Sequence, residues 1–141
     1  MKITKKVAQD MGCAYIYDDF GRINLKTDKV KDGAVLVAET LPTDGRLDFR
    51  FTPVVKGTKS QIFAFLRHCD LDFEGTEVGE IVDEMAGVAR EFIMRLNGTG
   101  VYEAVESAEW TTVLDFLDAN MAGVRVTLTL TDMAGECVSY E

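Results

Sequence analysis

The sequence is poor in the side chains from which most catalytic sites are built. It contains one histidine, His68, and three widely spaced cysteines, Cys13, Cys69 and Cys137. No two cysteines have the spacing of a metal site, and an odd number does not indicate a disulfide framework. We therefore expect a reducing compartment, no bound metal and no cofactor.

Long apolar runs and an excess of positive charge are also missing. No stretch approaches the eighteen or so apolar residues of a membrane span, and the first residues are too polar for a secretion signal. The 15 Lys and Arg residues are outnumbered by 24 Asp and Glu, which gives a formal charge of −9 and a pI near 4.6. Because nucleic-acid binding depends on cations that contact phosphates, we expect no sequence-specific nucleic-acid binding. Since the sequence has neither a membrane span nor a secretion signal, we also expect no membrane association and a cytoplasmic location.

What remains is the composition of an ordinary folded domain. The chain has 141 residues, of which 47% are hydrophobic and 28% charged, and this length is close to the commonest domain size. No internal repeat, low-complexity stretch or linker divides it. We expect residues 1–141 to form a single domain.

Two segments have the periodicity of amphipathic helices. Between residues 76 and 97 apolar residues recur every three or four positions, and Gly98 stands where a left-handed residue would end the helix. Gly79 and Gly87 weaken this helix and suggest that another backbone comes close to it. A shorter helix is predicted for residues 3–11.

Alternation of apolar and polar residues predicts strands on both sides of the long helix. Leu47, Phe49, Phe51 and Val55 form one apolar face of a strand whose other face is wet, and Pro53 ends this strand or places it at an edge. A turn at residues 56–59 then leads to a more buried strand at 60–67. Further strands are predicted at 35–38, 104–116 and 123–131, with a turn at 118–120.

The order of these elements predicts the fold class. Helix, strands, one long helix and strands indicate an α+β domain rather than a doubly wound parallel sheet. We expect an antiparallel or mixed sheet of about four to five strands, packed by one long helix and a shorter N-terminal helix.

Three segments carry residue types that could support chemistry, and each has a simpler structural interpretation. His68 and Cys69 are adjacent, but neighbours at a strand end point to opposite faces and do not easily share a proton. Acidic residues alternate between positions 70 and 74, yet the glycine and distal glutamate of a calcium loop are missing. Residues 97–100 contain two glycines, but they follow a helix instead of preceding one. We predict no catalytic, metal-binding or cofactor-binding residues, and hence no enzyme.

Three stretches carry a resemblance to a known family: the helix at 77–96, residues 113–120, and the alternating strand at 122–130. They resemble the tail terminator or head-tail joining proteins of tailed phages and prophages, in particular those in prophages of gut Bacteroidetes. The resemblance implies a mixed sheet with helices against it and a non-enzymatic structural subunit, which caps the tail tube or joins tail to head as a ring such as a hexamer. Its implied partners are copies of itself, tail-tube proteins and head-connector proteins, in the bacterial cytoplasm or in the virion of an active prophage.

The polar face of the last predicted strand is the candidate subunit interface. It carries Arg125, Thr127, Thr129 and Thr131, with Trp110 as a neighbour. Threonine-rich faces are also commonly solvated, and a single tryptophan is more often part of a core. Two alternative functions stay open: a small intracellular ligand- or partner-binding module with residues 18–31 as a lid or recognition loop, and a hydrolase built on carboxylates, which requires a deep pocket and a carboxyl group of raised pKa.

Overall fold

In the computed structural model the chain forms one mixed β-sheet with helices packed on it. The structure describes residues 2–19, 22–23, 30, 33–69, 75–116 and 120–137. Within them lie helices α1 (Ile3–Asp10) and α2 (Gly75–Gly98) and strands β1 (Ala14–Tyr17), β2 (Val35–Glu39), β3 (Asp44–Phe51), β4 (Val54–His68), β5 (Trp110–Phe116), β6 (Met121–Thr131) and β7 (Glu136–Cys137). The predicted α+β class is confirmed, although the sheet has seven strands instead of four to five.

The sheet is organised around the long strand β4. On one side β6 runs antiparallel to β4 over the full register from Thr58 and Thr131 to His68 and Met121. On the other side β4 pairs with β2 towards one end and with β3 towards the other. β1 lies parallel to β2, β5 antiparallel to β6, and β7 beside the first residues of β4. β1 and β7 were not predicted because strands of four and two residues are too short to show a period of two.

The apolar stripe of α2 packs on one face of β4 and β6, which we call the helix face. The ring of Phe92 on α2 lies 5.2 Å from that of Phe63 and 5.3 Å from that of Phe65, both on β4. All three side chains are fully buried. Burying an aromatic side chain contributes roughly 1.5–3 kcal/mol, so this triad is a major part of the core between helix and sheet.

A smaller apolar cluster covers part of the opposite face of the sheet. Leu36, Ala64, Leu66 and Met121 pack there around the fully buried Ile23. The middle of β4 is therefore apolar on both sides, as its sequence predicts. Most of the proposed lid at 18–31 lies outside the described residues.

The long helix is confirmed, but the predictions for its glycines are wrong. Gly98 is still helical, and the left-handed residue is Gly100, with φ +72°. The chain continues its turn because the Thr99 N–H donates to the Leu96 carbonyl at 3.1 Å. A Cβ built on Gly79 or Gly87 would meet no atom within 4 Å, so neither marks a close backbone approach.

β3 and β4 form a hairpin whose turn differs from the predicted one. The chain turns at Thr52 and Pro53, which are joined by a cis peptide bond. Residues 56–59, predicted as the turn, lie inside β4. Glycine and lysine favour turns, but here the neighbouring strands satisfy the backbone: Gly57 pairs with Leu47 of β3, and its carbonyl accepts the Asp132 N–H at 2.9 Å.

Candidate assembly surfaces

The β3–β4 hairpin, which we define as β3 with residues 54–60 of β4, exposes large apolar side chains. Leu47, Phe49 and Phe51 are 63%, 57% and 66% exposed. The alternation of the sequence predicts them on one face of a half-buried strand. That prediction is wrong, because no described element covers this end of the sheet.

A shift in strand pairing also divides these side chains between the two faces of the hairpin. Leu47 pairs with Gly57, whereas Phe51 pairs with Val54, and the register changes between them. Gly57 and Val54 are three residues apart on one strand, so Leu47 and Phe51 lie on opposite faces. Apolar surface is therefore offered on both sides of the hairpin.

The outer edge of β3 carries unpaired backbone groups. Thr43 donates its N–H to the Ser60 carbonyl at 3.0 Å, which shows that Ser60 directs its backbone groups towards β3. Backbone groups alternate along a strand, so Gly45 and Leu47 of β3 direct theirs away from β4. No described residue bonds them. An exposed edge of this kind is a template for pairing with another chain.

An ion pair lies near the tip of the hairpin. Arg50 donates to both carboxylate oxygens of Asp48, with distances of 2.7 and 3.0 Å to Oδ2. These hydrogen bonds lower the pKa of Asp48 to about 2. The guanidinium carbon of Arg50 also lies 5.6 Å from the centre of the Phe51 ring. Asp48 and Arg50 thus satisfy each other, whereas Leu47, Phe49 and Phe51 remain more than half exposed.

At the other side of the sheet, residues 103–109 form an irregular segment that we call the arm. Tyr102 forms a β-bridge with Asp132, and Trp110 pairs with Val126. The nine residues 102–110 therefore run beside only seven residues, 126–132, and the chain between the two pairs bows outwards. The predicted strand at 104–116 is therefore wrong in its first half and begins only at Trp110. Asn97 at the end of α2 holds the arm through two bonds to Val105, at 2.8 and 3.1 Å.

A recess that we call the groove lies between the arm and α2, on the helix face. It has a volume of about 600 Å³ and is lined by α2, the arm, Trp110 and Val126. Trp110 is 48% exposed. Its apolar walls are formed by Ile93, Met94 and the indole, and Arg90 and Asp83 supply opposite charges at its margin.

The residues predicted as a subunit interface are divided between the two sides of the arm. Arg125, Thr127 and Thr129 are exposed on the opposite face, where they line a second cavity of about 680 Å³ together with the arm. Thr131 is half-buried, and its hydroxyl lies 3.0 Å from that of Thr58. Trp110 pairs with the buried Val126 and lies on the helix face, in the groove. Their use as an interface stays a prediction.

Sequence reasoning missed a buried polar network where α1 meets the sheet. Glu39 is fully buried at the end of β2. Its Oε1 accepts hydrogen bonds from the hydroxyls of Thr4 at 2.5 Å and Tyr15 at 2.7 Å. Its Oε2 accepts from the Gln61 amide at 2.9 Å and from the Lys2 ammonium at 2.5 Å. No local pattern could have revealed this network, because its members are up to 59 positions apart in the sequence.

The network joins the N-terminal segment to three strands. Lys2 and Thr4 come from the start of the chain, Tyr15 from β1, Glu39 from β2 and Gln61 from β4. Burial, reinforced by the hydrogen bond to Glu39, raises the pKa of Tyr15 well above its ordinary value. The carboxylate is therefore surrounded by donors that belong to the fold, and this arrangement holds α1 against the sheet.

Among the described residues the remaining candidates from the sequence do not form a cluster, and the acidic residues between positions 70 and 74 lie outside the described ranges. His68 is exposed while Cys69 is buried, as their neighbouring positions at a strand end predict. Burial also raises the pKa of the Cys13 thiol, with a smaller contribution from Glu91. In the described ranges no three His, Cys, Asp or Glu side chains converge as metal ligands, and no helix has the length and apolar character needed to cross a membrane. Comparisons of the chain with protein-family models, curated proteins and solved structures give no match.

Proposed function

We propose that this protein is a non-enzymatic structural subunit that assembles through its β3–β4 hairpin, as a ring that caps a phage-like tail tube or joins tail to head. The observation that carries the proposal is the exposure of Leu47, Phe49 and Phe51 on an edge strand with unpaired backbone groups. The resemblance of the sequence to tail terminator proteins supplies the setting: a bacterial cytoplasm during assembly, and a virion afterwards.

Exposed apolar surface of this kind is unusual for a protein that acts alone. Isolated exposed apolar residues are ordinary, but three large ones on one projecting hairpin indicate an interaction site. The edge of β3 adds a second means of association, because backbone groups of Gly45 and Leu47 are free to pair with another strand. Both features lie in the same eight-residue strand.

The energy available from the hairpin indicates why a closed assembly or a template is needed. Fully burying a Leu or Phe side chain contributes roughly 1.5–3 kcal/mol, and more than half of each of the three is exposed, so covering them contributes roughly 3–5 kcal/mol. Association of two proteins costs about 4–15 kcal/mol in lost freedom of motion. A single contact is therefore weak. A ring gives each subunit two contacts, and a tail tube holds subunits side by side.

The absence of enzymatic activity is part of the proposal. Glu39 is the one carboxylate that the described chain buries completely, and its oxygens already accept from four donors of the fold. His68 is exposed at a strand end. Glu39 and His68 do not lie beside each other, and neither lines one of the two cavities described above.

Purified tail tubes provide the direct test of this function. We expect the wild-type protein to sediment with tubes and to stop their further growth from added tube protein. A Phe49→Ser/Phe51→Ser double variant should do neither, because it removes the apolar surface from exposed positions where polar side chains are tolerated. Leu41→Ser is a matched control, since Leu41 is also exposed but lies outside the hairpin. A wild-type protein that ignores tubes, or a double variant that caps them normally, would contradict the proposal.

A further inference from the structure

The groove has the lining of a receptor for apolar side chains. Its volume of about 600 Å³ is within the range of pockets that take whole small ligands. Met94 and Trp110 in its walls are 65% and 48% exposed. Gly87 opens its helix side, because a Cβ there would meet no atom within 4 Å. The described chain therefore contains an apolar recess that none of its own side chains fills.

The hairpin is the projecting counterpart of this recess. It carries large apolar side chains with no cover, and its charge is opposite to that of the arm. Residues 44–60 contain four basic and two acidic residues, and the arm contains three glutamates and no basic residue. One of these charges is already matched within the chain, since Lys56 lies 2.8 Å from Glu103. The remaining charges, +1 on the hairpin and −2 on the arm, still attract.

One chain cannot bring its own hairpin into its own groove. β3 is held to one side of β4, while the arm lies beyond β6 on the other side. β4 and β6, joined along eleven register pairs from Thr58 to His68, stand between β3 and the groove, although Lys56 at the start of β4 contacts Glu103 at the near end of the arm. The two unfilled features can therefore meet only between different chains.

We propose that the groove is the acceptor for the β3–β4 hairpin of a second copy of this chain. The inference rests on the proposed assembly function and deepens it by naming the partner surface. Phe49 or Phe51 of one copy enters the space beside Gly87 and Trp110 of the next, and the basic hairpin lies along the acidic arm.

Such a contact has a defined symmetry. Two different surfaces meet, so the contact is heterologous and leaves one free hairpin at one end of the assembly and one free groove at the other until the assembly closes. Repetition of the same rotation gives a closed ring, and a rotation that does not close gives an open filament. A hairpin-to-hairpin contact would instead be a two-fold dimer with no role for the groove.

The groove can be blocked without weakening the fold. Gly87→Leu places a side chain in open space inside the groove and replaces glycine by a better helix former. Gly79→Leu is the matched control: Gly79 is likewise an exposed residue of α2, also has open space around it, and is not among the residues that line the groove. Both variants should unfold at or above the wild-type temperature.

Sedimentation velocity over a range of concentrations then separates the outcomes. We expect Gly87→Leu to weaken self-association by at least about tenfold, which corresponds to about 1.4 kcal/mol, and Gly79→Leu to leave it unchanged. Equal association of wild type and Gly87→Leu would overturn this inference and leave assembly through the hairpin standing. A wild-type protein that neither self-associates nor binds tail tubes would overturn the proposed function, and this inference with it.

Mixing two defective chains is the sharper test. The Phe49→Ser/Phe51→Ser variant keeps an intact groove, and the Gly87→Leu variant keeps an intact hairpin. Neither variant alone can form the contact. Because a single contact is weak, we expect an equimolar mixture at high protein concentration to form a concentration-dependent heterodimer that grows no further. Trp110 is the single tryptophan of the chain, so its emission should shift to shorter wavelength on mixing. A mixture that associates no more than its two components at the highest concentration measured, or a Gly87→Leu chain that dimerises alone, would contradict the hairpin-in-groove contact.

Discussion

Replacing Glu39 by leucine should destabilise the protein strongly, although leucine is apolar and of similar size. Leucine accepts no hydrogen bond, so the donors that now point at Oε1 and Oε2 lose their acceptor. Lys2 is partly exposed and can turn to water. Thr4 and Tyr15 can bond each other, because their oxygens are 3.3 Å apart.

The expected loss in the free energy of unfolding comes from the hydrogen-bond donors that find no new acceptor. Hydrogen bonds to a charged acceptor contribute roughly 1.5–3 kcal/mol each, and about two such bonds are lost from buried groups, which gives about 3–6 kcal/mol. Removing the buried charge returns part of its desolvation cost, but the stranded partners remain. A folded domain has a free energy of unfolding of roughly 5–15 kcal/mol, so the loss is easily measured.

Urea unfolding at neutral pH provides the assay. We expect the Glu39→Leu midpoint to fall while the slope with urea stays constant, since the same surface is exposed on unfolding. Glu91→Leu is a control, because Glu91 pairs with Arg95 on an exposed face of α2 and its loss should change stability by no more than about 0.5 kcal/mol. If Glu39→Leu were within about 1 kcal/mol of wild type, the network would not hold α1 to the sheet.

Three further predictions follow from individual contacts. Gly123→Ala should reduce the free energy of unfolding by roughly 1–3 kcal/mol or more and lower the thermal midpoint, because the Cβ of alanine would overlap the Phe65 carbonyl. An unchanged midpoint would contradict the close approach of β4 and β6. Arg50→Met should return the pKa of Asp48 from about 2 towards its usual value near 4 in an NMR titration. Because the pKa of Asp48 is depressed in the folded state, the stability that this ion pair contributes is present above about pH 4 and is lost as pH falls towards 2. If the pKa of Asp48 did not move in the variant, a group other than Arg50 would be depressing it. Asn97→Ala should speed hydrogen exchange in the arm, since it removes both bonds to Val105; unchanged exchange would mean that other contacts hold the arm.

The periodicity of the sequence predicted the helices and strands in which each face keeps the same environment, buried or exposed, along its length. The apolar stripe of residues 76–97 became α2, and the alternation at 123–131 became β6, which starts only two residues earlier at Met121. The run from Ile62 to Leu66 is expected to be buried, and Phe63 to Leu66 are, because α2 covers one face and the cluster around Ile23 covers part of the other; Ile62 is half-buried.

The hairpin could not be predicted in the same way, because alternation shows which side chains are apolar and not what covers them. Leu47, Phe49 and Phe51 have the pattern of a half-buried strand, yet no described element packs on them. Gly57 suggested a turn, but its place in β4 depends on partners far away in sequence, such as Asp132. Glu39 gave no signal for the same reason, since Lys2, Tyr15 and Gln61 meet it only in the folded chain.

Hydroxyl-radical footprinting of the phenylalanines tests the central claim most directly, because it measures exposure of the hairpin in the free and the assembled protein. In dilute solution we expect Phe49 and Phe51 to be oxidised readily, and the buried Phe63 to be protected. On tail tubes, or at concentrations where the protein self-associates, Phe49 and Phe51 should become protected while the exposed Met133 outside the hairpin stays reactive. Protection of Phe49 and Phe51 already in the dilute monomer, or full reactivity in the assembled form, would contradict assembly through the hairpin.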